Sequence, residues 1–128
     1  MKSVVPIGLA FSLVSFFVNA QVPKGLHAFK KSRAYYVSNN GNDLNPGTKQ
    51  QPLKSIFKIN HLTLVAGDTL FFDGRSDFTG TLHLNISATE NKPVLITSYG
   101  LGRAIIHGRQ KEAIILEGAH FILKDINV

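Results

Sequence analysis

The 128-residue sequence contains no cysteine and no tryptophan, and only 17% of its residues are charged. Without cysteine, a disulfide framework, a thiolate metal site and a cysteine nucleophile are all excluded. The low charge, together with 44% apolar residues, excludes a disordered tail, because such tails are rich in charge and poor in apolar side chains. The length allows one modest domain and excludes a multidomain enzyme.

Residues 1–20 have the composition of a secretory signal peptide. Lys2 precedes an uncharged run whose apolar part, Val4 to Val18, spans 15 residues, fewer than the roughly 20 that cross a bilayer as a helix. Val18-Asn19-Ala20 resembles a cleavage site, which predicts cleavage before Gln21. The alternative, an uncleaved membrane anchor, is disfavoured by the short run. We therefore expect a bacterial protein that is secreted, periplasmic or on the cell surface, without a stable membrane anchor.

The rest of the chain is basic. Residues 21–128 carry 13 Lys and Arg against 8 Asp and Glu, a balance that favours anionic partners. Nucleic acid is not predicted, because an exported chain seldom meets it and no helix-turn-helix, zinc-finger or RNA-binding signature is present. Acidic polysaccharide is the commoner polyanion outside the cell. The alternative is a basic surface that only aids solubility.

The chain divides into a basic lead-in over residues 21–33 and a folded part over residues 34–128. The folded part opens with a β-prone run, Ala34–Ser38, and a stretch of turn formers over residues 39–48. Apolar residues then recur at helical spacing and predict one helix from Pro52 to His61. Its apolar face, formed by Leu53, Ile56, Phe57 and Ile59, must lie on a hydrophobic surface.

Beyond residue 68 the sequence reads as short strands separated by Gly, Asn and Asp. The predicted strands are Thr69–Phe72, Thr81–Ile86, Pro93–Tyr99, Ala104–His107, Ala113–Leu116 and Phe121–Val128. Within the second of these, Leu82, Leu84 and Ile86 alternate with polar residues, which is the period of a half-buried strand.

Several of these strands recur at a spacing typical of a solenoid. Leu70-Phe71-Phe72 recurs as Leu95-Ile96-Thr97 and again as Phe121-Ile122-Leu123, about 25 residues apart, and Leu82–Ile86 recurs as Ala104–His107. Parallel stacking of such coils would bury an apolar face that a single coil cannot bury. A small antiparallel sandwich is the rival fold, although Asp73-Gly74 is the only good hairpin turn for it.

The sequence resembles the opening of secreted right-handed parallel β-helix proteins of the pectin-lyase-like superfamily. The motifs that carry this resemblance are Tyr35-Tyr36-Val37-Ser38, Gly41-Asn42-Asp43, Asn45-Pro46-Gly47-Thr48, Pro52-Leu53-Lys54-Ser55-Ile56, Ala66-Gly67-Asp68-Thr69-Leu70, Lys92–Gly100 and Gly102–Gly108. The resemblance implies an all-β solenoid with an N-terminal capping helix, in which Leu53, Ile56 and Phe57 lie over the open bottom of the first coil. It further implies that the chain stops after two to three coils, as a fragment would.

The superfamily includes pectate, alginate and chondroitin lyases, glycoside hydrolases and non-catalytic proteins. In its lyases a metal or a basic residue neutralises a uronate carboxylate while Lys or Arg removes the neighbouring proton, and these groups lie on central coils. Because the sequence stops before such coils, the resemblance assigns no catalytic, cofactor-binding or metal-binding residue here, and any cofactor stays unknown.

A few side chains still merit interpretation as sites. His83 and His107 would form an outward pair if their strands stack, or simply a surface ladder. Asp68, Asp73 and Asp77 suggest calcium ligands, although turn capping suits them better because they form no compact loop; Asp43 has the same two interpretations. A sugar-binding face is the remaining hypothesis, with Arg75, Arg103, Arg109 and Lys111 as its cations.

Three functions follow from this sequence. The first is the N-terminal fragment of an exported carbohydrate-active β-helix protein, a polysaccharide lyase-like enzyme acting on acidic polysaccharide, inactive as this segment alone. The second is a non-catalytic surface or adhesive β-helix that binds glycans. The third is a product without function.

Overall fold

The computed structural model describes residues 30–128. The predicted signal peptide and most of the basic lead-in therefore lie outside the described residues, and the described part of the lead-in is exposed and forms no strand before Ala34. Among residues 30–128, no helix is long and apolar enough to cross a membrane.

The described residues are mostly β, with one short helix. The elements are β1 (Ala34–Val37), α1 (Ile56–Asn60), β2 (Thr69–Asp73), β3 (Asp77–Thr79), β4 (Leu82–Ser87), β5 (Val94–Tyr99), β6 (Ala104–His107), β7 (Ile114–Ala119), β8 (Phe121–Leu123) and β9 (Ile126–Asn127). They form three sheets with strand orders β1-β2-β5-β8, β3-β6-β9 and β4-β7. The chain visits the three sheets in turn and then returns to the first, which is consistent with a fragment of a β-helix.

All pairings between these strands are parallel, which overturns the antiparallel sandwich as an alternative. Asp73-Gly74 accordingly makes a corner between β2 and β3 and not a hairpin. A Cβ on Gly74 would lie 2.6 Å from the carbonyl oxygen of Leu101 in the next winding, so the corner requires glycine. Parallel strands demand a long connection between partners, and here the other two sheets supply it.

The recurrence in the first sheet predicts the correct strands in a register that is wrong by one residue. Leu70 pairs with Ile96, and Ile96 with Leu123. This register places Leu70 and Ile96 in the core, both fully buried, whereas Leu95 faces outward. Because side chains alternate between faces, the burial of one face selects this register.

The second recurrence is wrong. The strand β4 stacks on β7, with Leu84 opposite Leu116, and β6 stacks on β3, with Ile106 opposite Phe78. The sequence pattern does not predict β3, because three residues carry too little periodicity to be recognised. The windings also differ in length at their corners, so a constant spacing in sequence does not identify the partners.

The predicted alternation in β4 is confirmed, since Leu82, Leu84 and Ile86 are buried and the residues between them are exposed. Side chains of all three sheets meet in one core. Its buried apolar members are Tyr35, Val37, Leu53, Ile56, Ile59, Leu64, Leu70, Phe72, Phe78, Leu82, Leu84, Ile86, Val94, Ile96, Ala104 and Ile106. A continuous core shared by successive windings is what stabilises such a coil.

The helix α1 has five residues and is shorter than the predicted Pro52–His61. It begins late because Ser55 is the N-cap, with its Oγ accepting a hydrogen bond from the N–H of Lys58 at 3.0 Å. The helix buries Ile56 and Ile59, whereas Phe57 is 74% exposed. The expectation that Phe57 lies over the first coil is therefore wrong.

The strands at the opposite end of the coil have a neighbour on one side only. These strands, β7, β8 and β9, end the three sheet orders, and the predicted strand Phe121–Val128 is divided into β8 and β9 where Asp125 takes a φ of 56°. Their apolar side chains are only partly covered, with Ile122 47% and Leu123 41% exposed.

Candidate functional site

Asp43 connects the turn-rich loop to the start of the helix. Its Oδ1 accepts hydrogen bonds from the N–H groups of Lys54 at 3.0 Å and Ser55 at 2.9 Å, and its Oδ2 accepts one from Ser55 Oγ at 2.6 Å. Burial alone would raise the pKa of Asp43, but these hydrogen bonds outweigh it and lower the pKa below 3.8. Asp43 therefore holds the loop against the helix as an ionised carboxylate.

Asp73 is the buried acid at the corner between β2 and β3. Its Oδ2 accepts a hydrogen bond from Ser38 Oγ at 3.0 Å, and its Oδ1 accepts one from the N–H of Arg75 at 3.2 Å. Burial opposes ionisation of Asp73, but the hydrogen bonds and the Arg75 charge lower its pKa below 3.8. Burial of the Tyr99 hydroxyl, together with the negative charge of Asp73, raises the pKa of Tyr99 above 10.0.

The three aspartates considered as calcium ligands do not converge. Asp68 accepts hydrogen bonds from the N–H groups of Arg33 at 2.7 Å and Val65 at 2.8 Å, so it caps its own turn, as Asp73 does. Asp77 is exposed, and its Oδ2 lies 3.5 Å from Nε2 of His107. Within residues 30–128, no group of three or more potential metal ligands comes together.

The structure separates the two histidines that were considered as a pair. His83 lies on β4 in the third sheet, 3.2 Å from Glu117, whereas His107 lies on β6 in the second sheet, beside Asp77. The expected pairing fails because it depended on the recurrence of Leu82–Ile86 as Ala104–His107. Each histidine instead faces a carboxylate of the winding above or below its own.

Three aromatic side chains lie together on the outer face of the first sheet. The rings of Tyr36 and Phe71 are stacked with centroids 4.9 Å apart, and Tyr99 meets Tyr36 edge-on at 5.1 Å. All three are half-buried. Because the three rings belong to strands β1, β2 and β5 and contact one another, this cluster stabilises neighbouring windings of the sheet.

The described surface contains a groove at the corner where the second and third sheets meet. We call it the corner groove, and it has two adjoining parts of about 290 Å³ and 410 Å³ that share Thr81 and Arg109. Three stacked segments build it: the helix α1, the turn between β3 and β4, and the turn between β6 and β7. Its lining residues are Ile56, Phe57, Asn60, Thr79, Gly80, Thr81, Arg109, Gln110 and Lys111.

The four cations considered for a sugar-binding face lie in different surroundings. Arg75 and Arg103 approach Asp73 and Asp125 at 3.8 and 3.5 Å, so each has a carboxylate beside it. Arg109 and Lys111 share the corner groove, and no carboxylate of the described residues lies within ion-pair distance of either. The structure therefore brings two of the four together.

The sequence interpretation missed Phe57 and Gln110 as groove residues. The helical spacing of Leu53, Ile56, Phe57 and Ile59 predicts a core position for Phe57. Ser55, a favoured N-cap residue directly before Ile56, was the signal that starts the helix later and turns Phe57 outward. Gln110 lies in an irregular turn, where no periodicity indicates which way a side chain points.

Comparison with known proteins finds matches among solved structures. No protein-family model and no curated protein matches the chain. Two crystal structures of a GH136 lacto-N-biosidase from Eubacterium ramulus do match. The native protein is 41% identical with a TM-score of 0.55, and the selenomethionine derivative is 42% identical with a TM-score of 0.56.

These matches cover 57% and 58% of this chain but 12% of the solved chains. The chain therefore spans about one eighth of the length of the structures it resembles. The similarity is to a carbohydrate-active enzyme, in agreement with the expectation of a carbohydrate-active protein. That relative is named as a glycosidase and not as a lyase, so the similarity gives the expected lyase chemistry no support.

Proposed function

We propose that the chain is the N-terminal part of an exported carbohydrate-active enzyme with a right-handed parallel β-helix fold. Residues 1–20 would be its cleaved signal peptide, residues 21–33 a basic lead-in, and residues 34–128 the N-terminal cap and first coils. The observation that carries the proposal is the 41% identity to a GH136 lacto-N-biosidase over 57% of this chain. The stacked parallel windings support it.

We propose glycoside hydrolysis as the reaction and a glycan as the substrate. The name of the relative supports hydrolysis over the elimination that the superfamily resemblance implies. Lyase action on acidic polysaccharide is a second candidate, favoured by the net charge of +6 on the chain. A non-catalytic glycan-binding β-helix is the third, favoured by a groove that lacks carboxylates.

Glycoside hydrolysis ordinarily needs two carboxyl groups, one acting as the general acid and the other as the nucleophile or the general base. The buried carboxylates of the described residues are already occupied, because Asp68 and Asp73 accept hydrogen bonds that hold their turns. Asp43 likewise holds the loop against the helix. The exposed Asp77, Glu117 and Asp125 each lie beside a histidine or an arginine. We propose that the catalytic pair lies outside residues 30–128, and we expect this segment alone to be inactive.

The test compares the 128-residue chain with the protein encoded by the complete reading frame that contains it. Both are incubated with lacto-N-biose glycosides, with other neutral glycans, and with polygalacturonate and alginate. We expect the longer protein to release reducing sugar without the ultraviolet absorbance of unsaturated products, and the short chain to do neither. Unsaturated products would establish a lyase. A longer protein without any activity would contradict an enzymatic function.

A further inference from the structure

We propose that the corner groove is a non-catalytic binding site for a saccharide that carries a carboxylate or sulfate group. The inference rests on the proposed function, since it assumes that the protein meets glycans. It adds a site at the N-terminal cap, separate from the catalytic pair, which we place outside the described residues.

Charge is the first argument for an anionic ligand. The groove is lined by Arg109 and Lys111, and by no Asp or Glu. Elsewhere on the described surface, Arg75 and Arg103 each have a carboxylate within 4 Å, at 3.8 and 3.5 Å. Two neighbouring cations without a protein counter-ion attract an anionic group and form charge-assisted hydrogen bonds with it.

The backbone that presents these cations is held in place. Thr81 Oγ donates a hydrogen bond to the carbonyl oxygen of Glu112 at 2.8 Å, which ties the turn carrying the cations to the winding below. On either side of this contact, the N–H of Gly80 bonds to His107 at 2.9 Å and the N–H of Leu82 to Ala113 at 2.8 Å. A site on a fixed turn loses less conformational entropy when a ligand binds.

The turn also has a steric requirement that keeps it tight. A Cβ added to Gly108 would lie 2.5 Å from the carbonyl oxygen of Lys111 and 2.9 Å from the N of Ala113. A larger residue there would force the turn open, so the close return of the chain between Gly108 and Ala113 depends on glycine.

An exposed aromatic ring indicates that the ligand has an apolar face as well as a charge. Phe57 lines the groove and is 74% exposed, and its ring packs on His61 with centroids 4.5 Å apart. A sugar ring can place its C–H face on such a ring while its charged group reaches the cations. Aromatic walls with a few placed polar groups are typical of small-ligand sites, and the groove volumes fall near the lower part of their usual range.

The groove can bind but has no means of cleaving a glycosidic bond. Its lining contains no carboxylate and no histidine to act as acid or base. The available donors are the two cations, the amide of Gln110 and the hydroxyl of Thr79. Asn60 and Thr81 already use their side chains to hold neighbouring segments. The site therefore anchors an anionic glycan without transforming it.

Calorimetric titration of the full chain with oligogalacturonate tests this inference. We expect binding that weakens with added salt and that falls at least about tenfold in the Arg109→Gln/Lys111→Gln variant, because both charge-assisted contacts are lost. The matched control, Lys49→Gln/Lys124→Gln, removes the same charge from exposed positions outside the groove and should bind as the wild type does. Circular dichroism verifies that all variants are folded.

Two further arms separate a saccharide site from a general anion site. Fully methyl-esterified oligogalacturonate, which keeps the sugar and loses the charge, should bind at least about tenfold more weakly. Phe57→Ala should weaken the binding of oligogalacturonate and leave the binding of inorganic phosphate unchanged. Equal losses in the groove and control variants would overturn the proposal, as would phosphate or a DNA oligonucleotide binding as tightly as the oligosaccharide.

The outcome is independent of the activity test. If the longer protein has no activity on glycans but the groove variants lose oligogalacturonate, the enzymatic function fails and the binding site stands. If the longer protein is active and the groove variants bind as the wild type does, the function stands and this inference fails.

Discussion

The side-chain amide of Asn60 donates a hydrogen bond to the carbonyl oxygen of Thr81 at 2.9 Å. The same side chain accepts one at its Oδ1 from the N–H of His83, also at 2.9 Å. One residue of the helix thus occupies two of the backbone groups that a neighbouring strand would otherwise bond. In this way α1 covers the start of the lower edge of β4, where the strand would be open to pairing with another chain.

Replacement of Asn60 by alanine should lower the free energy of unfolding by about 1 to 3 kcal/mol, since it removes both hydrogen bonds to the edge of β4. Urea denaturation measures the loss. Asn60→Asp is the matched variant, because it keeps an acceptor for His83 while losing the donor to Thr81, and its loss should be intermediate. An Asn60→Ala variant as stable as the wild type would show that the helix does not protect this edge.

Stability should fall in acid because of Asp43 and Asp73. Their pKa values are lowered in the folded protein, so between the folded value and the ordinary value of 3.8 the unfolded chain binds more protons than the native chain. The stabilisation is present above 3.8 and is lost as the pH falls through the folded pKa. Thermal unfolding followed from about pH 6 to about pH 2.5 measures this.

Asp73→Asn should reduce this acid dependence, because the variant has no charge to lose at that position. It should also be less stable than the wild type near neutral pH. An acid dependence identical to that of the wild type would contradict the role given to the Asp73 carboxylate.

Leu84→Asp should abolish folding. Leu84 is 2% exposed and lies opposite Leu116 inside the coil, and an unpaired buried carboxylate costs several kcal/mol, out of about 5 to 15 in a typical domain. Ser87→Asp, on the exposed side of the same strand, is the matched control and should fold. A soluble Leu84→Asp variant with a cooperative transition would contradict the inward orientation.

The two faces of the helix should respond differently to truncation. Ile59 is fully buried, so Ile59→Ala should cost about 2 to 5 kcal/mol by leaving a cavity. Phe57 is largely exposed, and Phe57→Ala should change stability by less than about 0.5 kcal/mol. Equal costs, measured by urea denaturation, would restore Phe57 to the core and remove it from the corner groove.

Much of the fold is predictable from the sequence because it depends on alternation and turn chemistry. The alternation of Leu82, Leu84 and Ile86 identifies β4 and its inward face, and the recurrence starting at Leu70 identifies the strands that stack in the first sheet. The all-parallel pairing and the short helix between β1 and β2 agree with the expectations drawn from these patterns. The similarity to a carbohydrate-active enzyme agrees with what the superfamily resemblance implies.

The remaining features depend on contacts between residues distant in the chain. The strand β4 pairs with β7, and the corners that separate paired strands differ in length. A fixed spacing in sequence therefore predicts, wrongly, that His107 lies beside His83. Whether Arg109 and Lys111 share a groove depends on how the turns stack, and local sequence does not encode that. The register error at Leu95 has the same origin, since the choice between two faces is made by the assembled core.

The most direct test of the parallel winding is disulfide cross-linking. Because the chain contains no cysteine, introduced cysteines have no native thiol to react with. Asn85 and Glu117 are exposed register partners on β4 and β7, and neighbouring strands about 4.8 Å apart lie within the range of a disulfide. Under mild oxidation, Asn85→Cys/Glu117→Cys should form an intramolecular cross-link, and His83→Cys/His107→Cys should stay reduced. A cross-link in the histidine-derived pair alone would contradict the stacking of β4 on β7, and with it the corner groove.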